Sequence, residues 1–214
     1  MPPKKASQIY QKKDPIDHVL DRTDMYVGSK RLRASEEFIY CKETHKIIKK
    51  SIKTSPAILR IFVEALSNAI DNVERSCKTN KCTYINVNID KETGRITIQN
   101  DGEIIPIEIH EEEKCYIHTM IFGQMLTGSN YNDEEERLVS GRNGLGIKLC
   151  NIFSTEFSVE GIDPANKKKF VQTWTNNMKN TSEPTIKSSS LKRGYTKVSW
   201  VIDLERFGLK ELTD

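Results

Sequence analysis

The chain has 214 residues and a mass of 24.6 kDa, with 36 % hydrophobic and 29 % charged residues and a mean hydropathy of −0.57; this composition supports a packed core and excludes a fibrous or low-complexity chain. No apolar run approaches the roughly 18 to 20 residues of a membrane helix, and Met-Pro-Pro-Lys-Lys does not open a signal peptide, so an intracellular protein without a membrane partner is expected. The net charge of +3 hides an asymmetry: residues 1–13 hold Lys4, Lys5, Lys12 and Lys13 and no acid, so the remainder carries −1 and a body-wide nucleic-acid patch is not expected.

The first element is a helix, with Asp14 as N-cap and Pro15 in its first turn, running toward Arg22 and stopped by Gly28-Ser29. The run Lys46–Lys53 that follows reads as a solvated face. Residues 56–75 form the clearest helix, and at about 100° per residue Leu59, Phe62, Leu66, Ala69, Ile70 and Val73 fall on one side as its core stripe. Residues 83–90 alternate through Ile85, Val87 and Ile89, a turn at 91–94 follows, and residues 95–99 alternate through Ile96 and Ile98, which is a β-hairpin. Further helices are expected at 116–126 and 145–154, and strands at 156–160, 169–174 and 196–203. The Ser-rich stretch 180–190 reads as a linker, and Lys167–Lys169 as another solvated run. Helices and largely antiparallel strands in blocks make the fold α+β, a sheet with a helix layer on one face, in one continuous domain without internal repeats. The five cysteines are odd in number and read as free thiols; Cys77 and Cys82 come closest to a metal pair, but no second pair completes a zinc set.

Three clusters carry chemistry. The long helix presents Arg60, Glu64, Asn68, Asp71, Asn72 and Arg75 opposite its apolar stripe. Asn and Asp each cost a few tenths of a kcal/mol in a helix relative to Lys, Gln or Glu. A solvated face gains nothing from that choice, whereas oxygen ligands around a hard cation such as Mg²⁺ need it; the spacing alone allows both readings. Asn100-Asp101-Gly102, by itself, is turn chemistry. Gly141-Arg-Asn-Gly-Leu-Gly-Ile-Lys148 opens a helix with three glycines, which suits an anion-binding loop. It is not a Walker A loop, because Ile147 stands where the lysine should follow directly, and it is not G-x-G-x-x-G, because the order is reversed.

In this order, Glu-x-x-x-Asn-x-x-Asp-Asn (64–72), Asn-Asp-Gly (100–102), Ser129-Asn130 and Gly141–Lys148 resemble the ATP site of the GHKL family, which holds gyrase, the heat-shock 90 chaperones, histidine kinases and the mismatch-repair MutL proteins. Within it, Ile9–Lys13, Met25–Ser29, Ile121–Gln124 and Leu149–Ser154 are similar to the N-terminal ATPase domain of eukaryotic-type DNA topoisomerases II. The resemblance covers almost the whole chain. It implies a GHKL fold with a mixed, mostly antiparallel sheet under a helix layer. It implies an N-terminal basic arm and first helix over 1–27, then an ATPase domain over 28–214 with an ATP lid at about 127–148. Glu64 becomes the general base, Asn68 the Mg²⁺ ligand and Asn72 a support for the nucleotide. Asn100 becomes the adenine-reading residue, with Thr196 as the matching hydroxyl. Ser129 and Asn130 match ribose and α-phosphate contacts, while Gly141, Arg142, Asn143, Gly144, Leu145, Gly146 and Lys148 wrap the phosphates. Tyr10 matches an arm residue that reaches into the site of a second copy. ATP and Mg²⁺ are the implied cofactors. The implied partners are a second copy of the chain, in an ATP-dependent homodimer, and DNA in the full-length enzyme. Transducer and DNA-cleavage domains lie outside this stretch, which is therefore expected to hydrolyse ATP slowly.

The sequence departs from that pattern at Ile104, where the family has glycine, at Gly128, where eukaryotic members have a second serine, and at Leu145 and Ile147, which replace Tyr and Ala. These changes suggest a divergent lineage: a nuclear protein in a cellular eukaryote, or one of the host cytoplasm or virion in a large DNA virus. Competing readings are another GHKL ATPase of the chaperone or mismatch-repair kind, and a non-catalytic DNA-binding module using Lys4–Lys13 and Lys167–Lys169 on phosphates.

Overall fold

A computed structural model describes residues 12–76, 80–125, 127 and 144–212. Helix α1 (Pro15–Asp21) starts as its sequence requires: the Asp14 carboxylate accepts from the Ile16 amide at 2.9 Å, and Pro15 occupies the first turn. Its Val19 and Leu20 are buried in the main core. A short helix α2 (Thr23–Tyr26) leads to Gly28, whose φ of +86° turns the chain away.

Strands β1 (Arg33–Cys41) and β2 (Lys46–Thr54) then pair over nine residues each as an antiparallel ribbon. This element is not legible in the sequence, because four lysines interrupt the alternation of β2. Pairing with β1, not burial, makes it a strand, and its lysines are exposed as a solvated run should be.

Helix α3 (Pro56–Ser76) lies where its period places it, but a different stripe faces inward. Ala57, Ile61, Ala65 and Ala69 are buried at i, i+4 spacing, whereas Leu59, Ile70 and Val73, expected in the core, are exposed; of that expected stripe Ala69 alone is buried and Phe62 and Leu66 are half-buried. The cause is close packing. Small side chains let α3 approach the sheet and its neighbouring helix, and the bulky residues are left on the flank.

The principal sheet holds β3 (Ile85–Asp90), β4 (Arg95–Asn100), β5 (Ser154–Asp163), β6 (Lys168–Thr175), β7 (Asn180–Thr181), β8 (Thr185–Ser188) and β9 (Tyr195–Ile202). Its order is β3-β4-β9-β5-β6-β7, with β8 also on β6, and every described pair is antiparallel, so the mixed sheet is not what forms. The stretch read as a Ser-rich linker supplies β7 and β8, held by main-chain pairing to β6. On the buried face, Ile96, Ile98, Phe157, Val159, Phe170, Trp174, Val198 and Trp200 meet α3, α4 (Ile117–Gly123) and α5 (Gly146–Ile152). The other face is polar, with Thr97 and Ser199 hydroxyls 2.9 Å apart and Arg95 paired to Glu156 at 2.8 Å. Among the described residues no helix is long and apolar enough to cross a membrane.

His118 on α4 is 1 % exposed, stacks on Phe170 with centroids 4.5 Å apart, and neither ring nitrogen has a hydrogen-bond partner. Burial lowers its pKa to about 4, against a smaller opposing pull from Asp163. The folded state therefore binds fewer protons than the unfolded chain between those limits. Its contribution is full above the ordinary value of 6.5 and is lost as pH falls toward about 4. Urea unfolding at pH 7 and pH 5 should show a loss of about 1–2 kcal/mol that His118→Leu abolishes. The same loss in both proteins would assign it to other groups.

Candidate functional site

The site is built where α3 passes the first residue of α5 and the end of β4. Glu64 and Arg60 stand one turn apart on α3 and pair at 2.5 Å, with Glu64 about one-fifth exposed. Gly146 opens α5 directly against this carboxylate, and a Cβ there would collide with Glu64 Oε2. Glycine is required at that point by space, not by backbone angle. One turn further along α5, Cys150 is fully buried and donates to the Ile61 carbonyl at 3.1 Å; burial, and then the Glu64 charge, push its thiol well above the ordinary range. That thiol is inert packing.

Asn68 lies on the same side of α3. Its Nδ2 donates back to the Glu64 carbonyl at 2.8 Å, which leaves Oδ1 without a partner among the described residues and open to solvent. A carboxamide held by its nitrogen with its oxygen outward suits a hard cation, which takes oxygen ligands. Asn72 behaves differently. It is buried, and its Nδ2 donates to the carbonyls of Asp101 (3.1 Å) and Glu103 (3.0 Å). Ser76 Oγ, one turn on, accepts the Glu103 amide at 2.7 Å. Asn72 thus positions the loop after β4, which is support for a ligand at one remove.

That loop is anchored by Asp101, which sequence reasoning treated as a turn residue. Its carboxylate is 0 % exposed, accepts from the amides of Thr83 (2.7 Å) and Tyr84 (3.1 Å) and from the Thr83 hydroxyl (2.6 Å), and pairs with Arg193 at 2.5 Å. Burial pushes its pKa up, but the Thr83 hydroxyl and these amides outweigh it and hold the group at about 2. Gly102 follows at φ +105°, where a Cβ would strike Ser76 Oγ and Cys82. The available signal was an acid closing a strand directly before a glycine. Ile104, the departure from the family glycine, is absent from the residues of positive φ and its side chain lies over Gly194, so it fits without left-handed strain.

Asn100 closes β4 opposite Thr196 of β9, and Thr196 in turn faces Gly161 of β5, so both polar side chains share the helix side of the sheet. Asn100 Nδ2 donates to the Asp101 carbonyl at 3.0 Å, leaving Oδ1 without a described partner. Gly144 takes φ +59° and Leu145 precedes α5. Lys148 is 1 % exposed with its Nζ on the Thr127 carbonyl, and burial lowers its ammonium to about 8. In this arrangement it does not reach out toward a phosphate; it ties residue 127 to α5, the two described ends of the expected lid. Tyr10, Ser129, Asn130, Gly141, Arg142 and Asn143 lie outside the described residues.

Residues 54–206 match the family described as histidine kinase-, DNA gyrase B- and HSP90-like ATPases. DNA topoisomerase 2 of Candida glabrata is 48 % identical over 98 % of this chain, which spans 15 % of that relative's length. The crystal structure of the ATPase region of Saccharomyces cerevisiae topoisomerase II superposes with a TM-score of 0.94 at 46 % identity, covering 98 % of this chain and 55 % of that one. The ATPase and transducer domains of DNA topoisomerase II from Balamuthia mandrillaris superpose at 0.93 and 39 % identity, covering 99 % and 54 %.

Proposed function

Because this chain belongs to the histidine kinase-, DNA gyrase B- and HSP90-like ATPases, we propose that it is the ATP-operated N-terminal part of a type II DNA topoisomerase. ATP binding brings two copies together to drive passage of one DNA segment, and hydrolysis resets them. The observation that carries this reading is the meeting of Arg60, Gly146 and Asn68 around Glu64. It places a carboxylate of fixed orientation beside an outward amide oxygen at the start of a glycine-opened helix.

In this reading Glu64 accepts the proton of the attacking water, Asn68 Oδ1 faces Mg²⁺, and Asn100 with Thr196 reads the adenine edge. Asn72 and Asp101 hold the loop that presents Asn100. Gly144, Leu145, Gly146 and Lys148 belong to the lid, together with Gly141, Arg142 and Asn143. Ser129 and Asn130 take the ribose and α-phosphate, and Tyr10 serves the site of the second copy. Mg²⁺, when bound, neutralises charge developing on the phosphoryl oxygens.

Asn68→Ala is the direct test. Removing one oxygen ligand should weaken nucleotide binding by about tenfold with Mg²⁺ present, in line with the loss of a single charge-assisted interaction, and should change it little in EDTA. Equal affinities with Mg²⁺ would remove Asn68 from the cation site.

Assembly gives a second readout. Sedimentation at nucleotide concentrations far above the dissociation constant should show a heavier species with a non-hydrolysable ATP analogue than without it. The same mass in both states would count against nucleotide-driven dimerisation of this chain.

A further inference from the structure

Outside that site, the turn joining β5 to β6 and the segment running from β8 to Lys192 enclose an open groove of about 1030 Å³. Residues 164–193 carry seven Lys and Arg against a single acid, Glu183, in a chain whose net charge is only +3. Three of the seven are neutralised: Lys169 by Glu160 at 2.8 Å, Lys179 by Asp17 at 2.7 Å and Arg193 by Asp101 at 2.5 Å. The other four, Lys167, Lys168, Lys187 and Lys192, have no carboxylate within ion-pair distance among the described residues, and all four line the groove. Ser188, Ser189 and Ser190 lie between them.

The groove is held by its backbone. β8 pairs with β6 so that Lys168 faces Ser188 and Lys169 faces Lys187, and the Ser189 amide donates to the Lys167 carbonyl at 2.8 Å. The turn is fixed by Asp163, which accepts from the Asn166 amide at 3.1 Å and its side chain at 2.8 Å. Two lysines directly opposite one another destabilise a ladder. Packing gives no reason for that pairing, nor for collecting every unpaired cation of the segment in one concavity. A polyanion does.

We infer that this groove binds the phosphodiester backbone of duplex DNA, a reading that takes its choice of polyanion from the topoisomerase assignment. Point-charge lysines interleaved with hydroxyls suit phosphate oxygens contacted without base readout. An anionic membrane is the less suitable partner, because Leu191 is the one large apolar residue exposed at the rim, too little for insertion. The body-wide charge balance concealed this patch, since acids elsewhere cancel it.

The test is anisotropy titration of a labelled duplex of about 30 base pairs, from about 50 to 200 mM KCl, with the wild-type chain and the triple variant Lys167→Gln, Lys187→Gln, Lys192→Gln. Removing one lysine from a phosphate should lower the slope of log K against log salt by about 0.9, so the variant's slope should fall by about 2 to 3 and its affinity at 100 mM salt by tenfold or more. Binding of an ATP analogue, measured on the same proteins, should not change, because none of the three lies in the nucleotide site; that arm reports on the ATP reading separately. Absence of duplex binding by the wild-type chain, or an unchanged slope in the variant, overturns the inference. So does a variant that loses binding to phosphatidylserine vesicles while keeping its DNA affinity.

Discussion

Glu64→Gln is expected to lower ATP turnover by about 10²- to 10⁴-fold, the usual contribution of a positioned general base, while nucleotide affinity stays near wild type. Glutamine preserves the shape of the side chain, so the packing against Gly146 survives. It cannot take a proton. Arg60 contributes by fixing the carboxylate at 2.5 Å, and Arg60→Ala should give a smaller loss, because the charge remains and only its orientation relaxes. Turnover is read by phosphate release and affinity by a fluorescent nucleotide. Wild-type turnover in Glu64→Gln, in protein that binds nucleotide, would remove Glu64 from the role of base.

Asp101→Ala should cost about 3 kcal/mol of stability, a large value for one substitution. It strands the amides of Thr83 and Tyr84 and the Thr83 hydroxyl, all of which the buried carboxylate satisfies. The Arg193 pair adds less, since that guanidinium is 53 % exposed and screened by water. For a chain of this size the melting temperature should fall by about 6–12 °C. The acid dependence follows from a folded pKa of about 2 against an ordinary 3.8. The contribution of Asp101 is complete above the ordinary value and disappears as pH falls through the folded one. Because Asn72 and Ser76 tie the same loop to α3, nucleotide affinity should drop with stability as Asn100 loses its mount. An unchanged melting temperature would show that Arg193 and Asp101 contribute nothing net.

The sequence by itself determined the periodic elements and the chemistry of the site. The Asp14-Pro15 cap, the long helix, the 83–99 hairpin and the Glu64, Asn68 and Gly146 spacing all depend on neighbours within a few residues. Local signals of that kind survive any tertiary context. Tertiary structure decided what local pattern leaves open. The exposure of Leu59, Ile70 and Val73 follows from which side of α3 meets α5 and the sheet, and an amphipathic period fixes an apolar stripe without saying that small residues will win the interface. The β1–β2 ribbon and the β7 and β8 strands draw their order from main-chain pairing, to which lysine and serine side chains give no periodic trace. Asp101 became an anchor only because the fold carries Thr83, Tyr84 and Arg193 to its oxygens, the last of them 92 residues along the chain. A buried carboxylate's function is set by its donors, and those donors are neighbours in space alone.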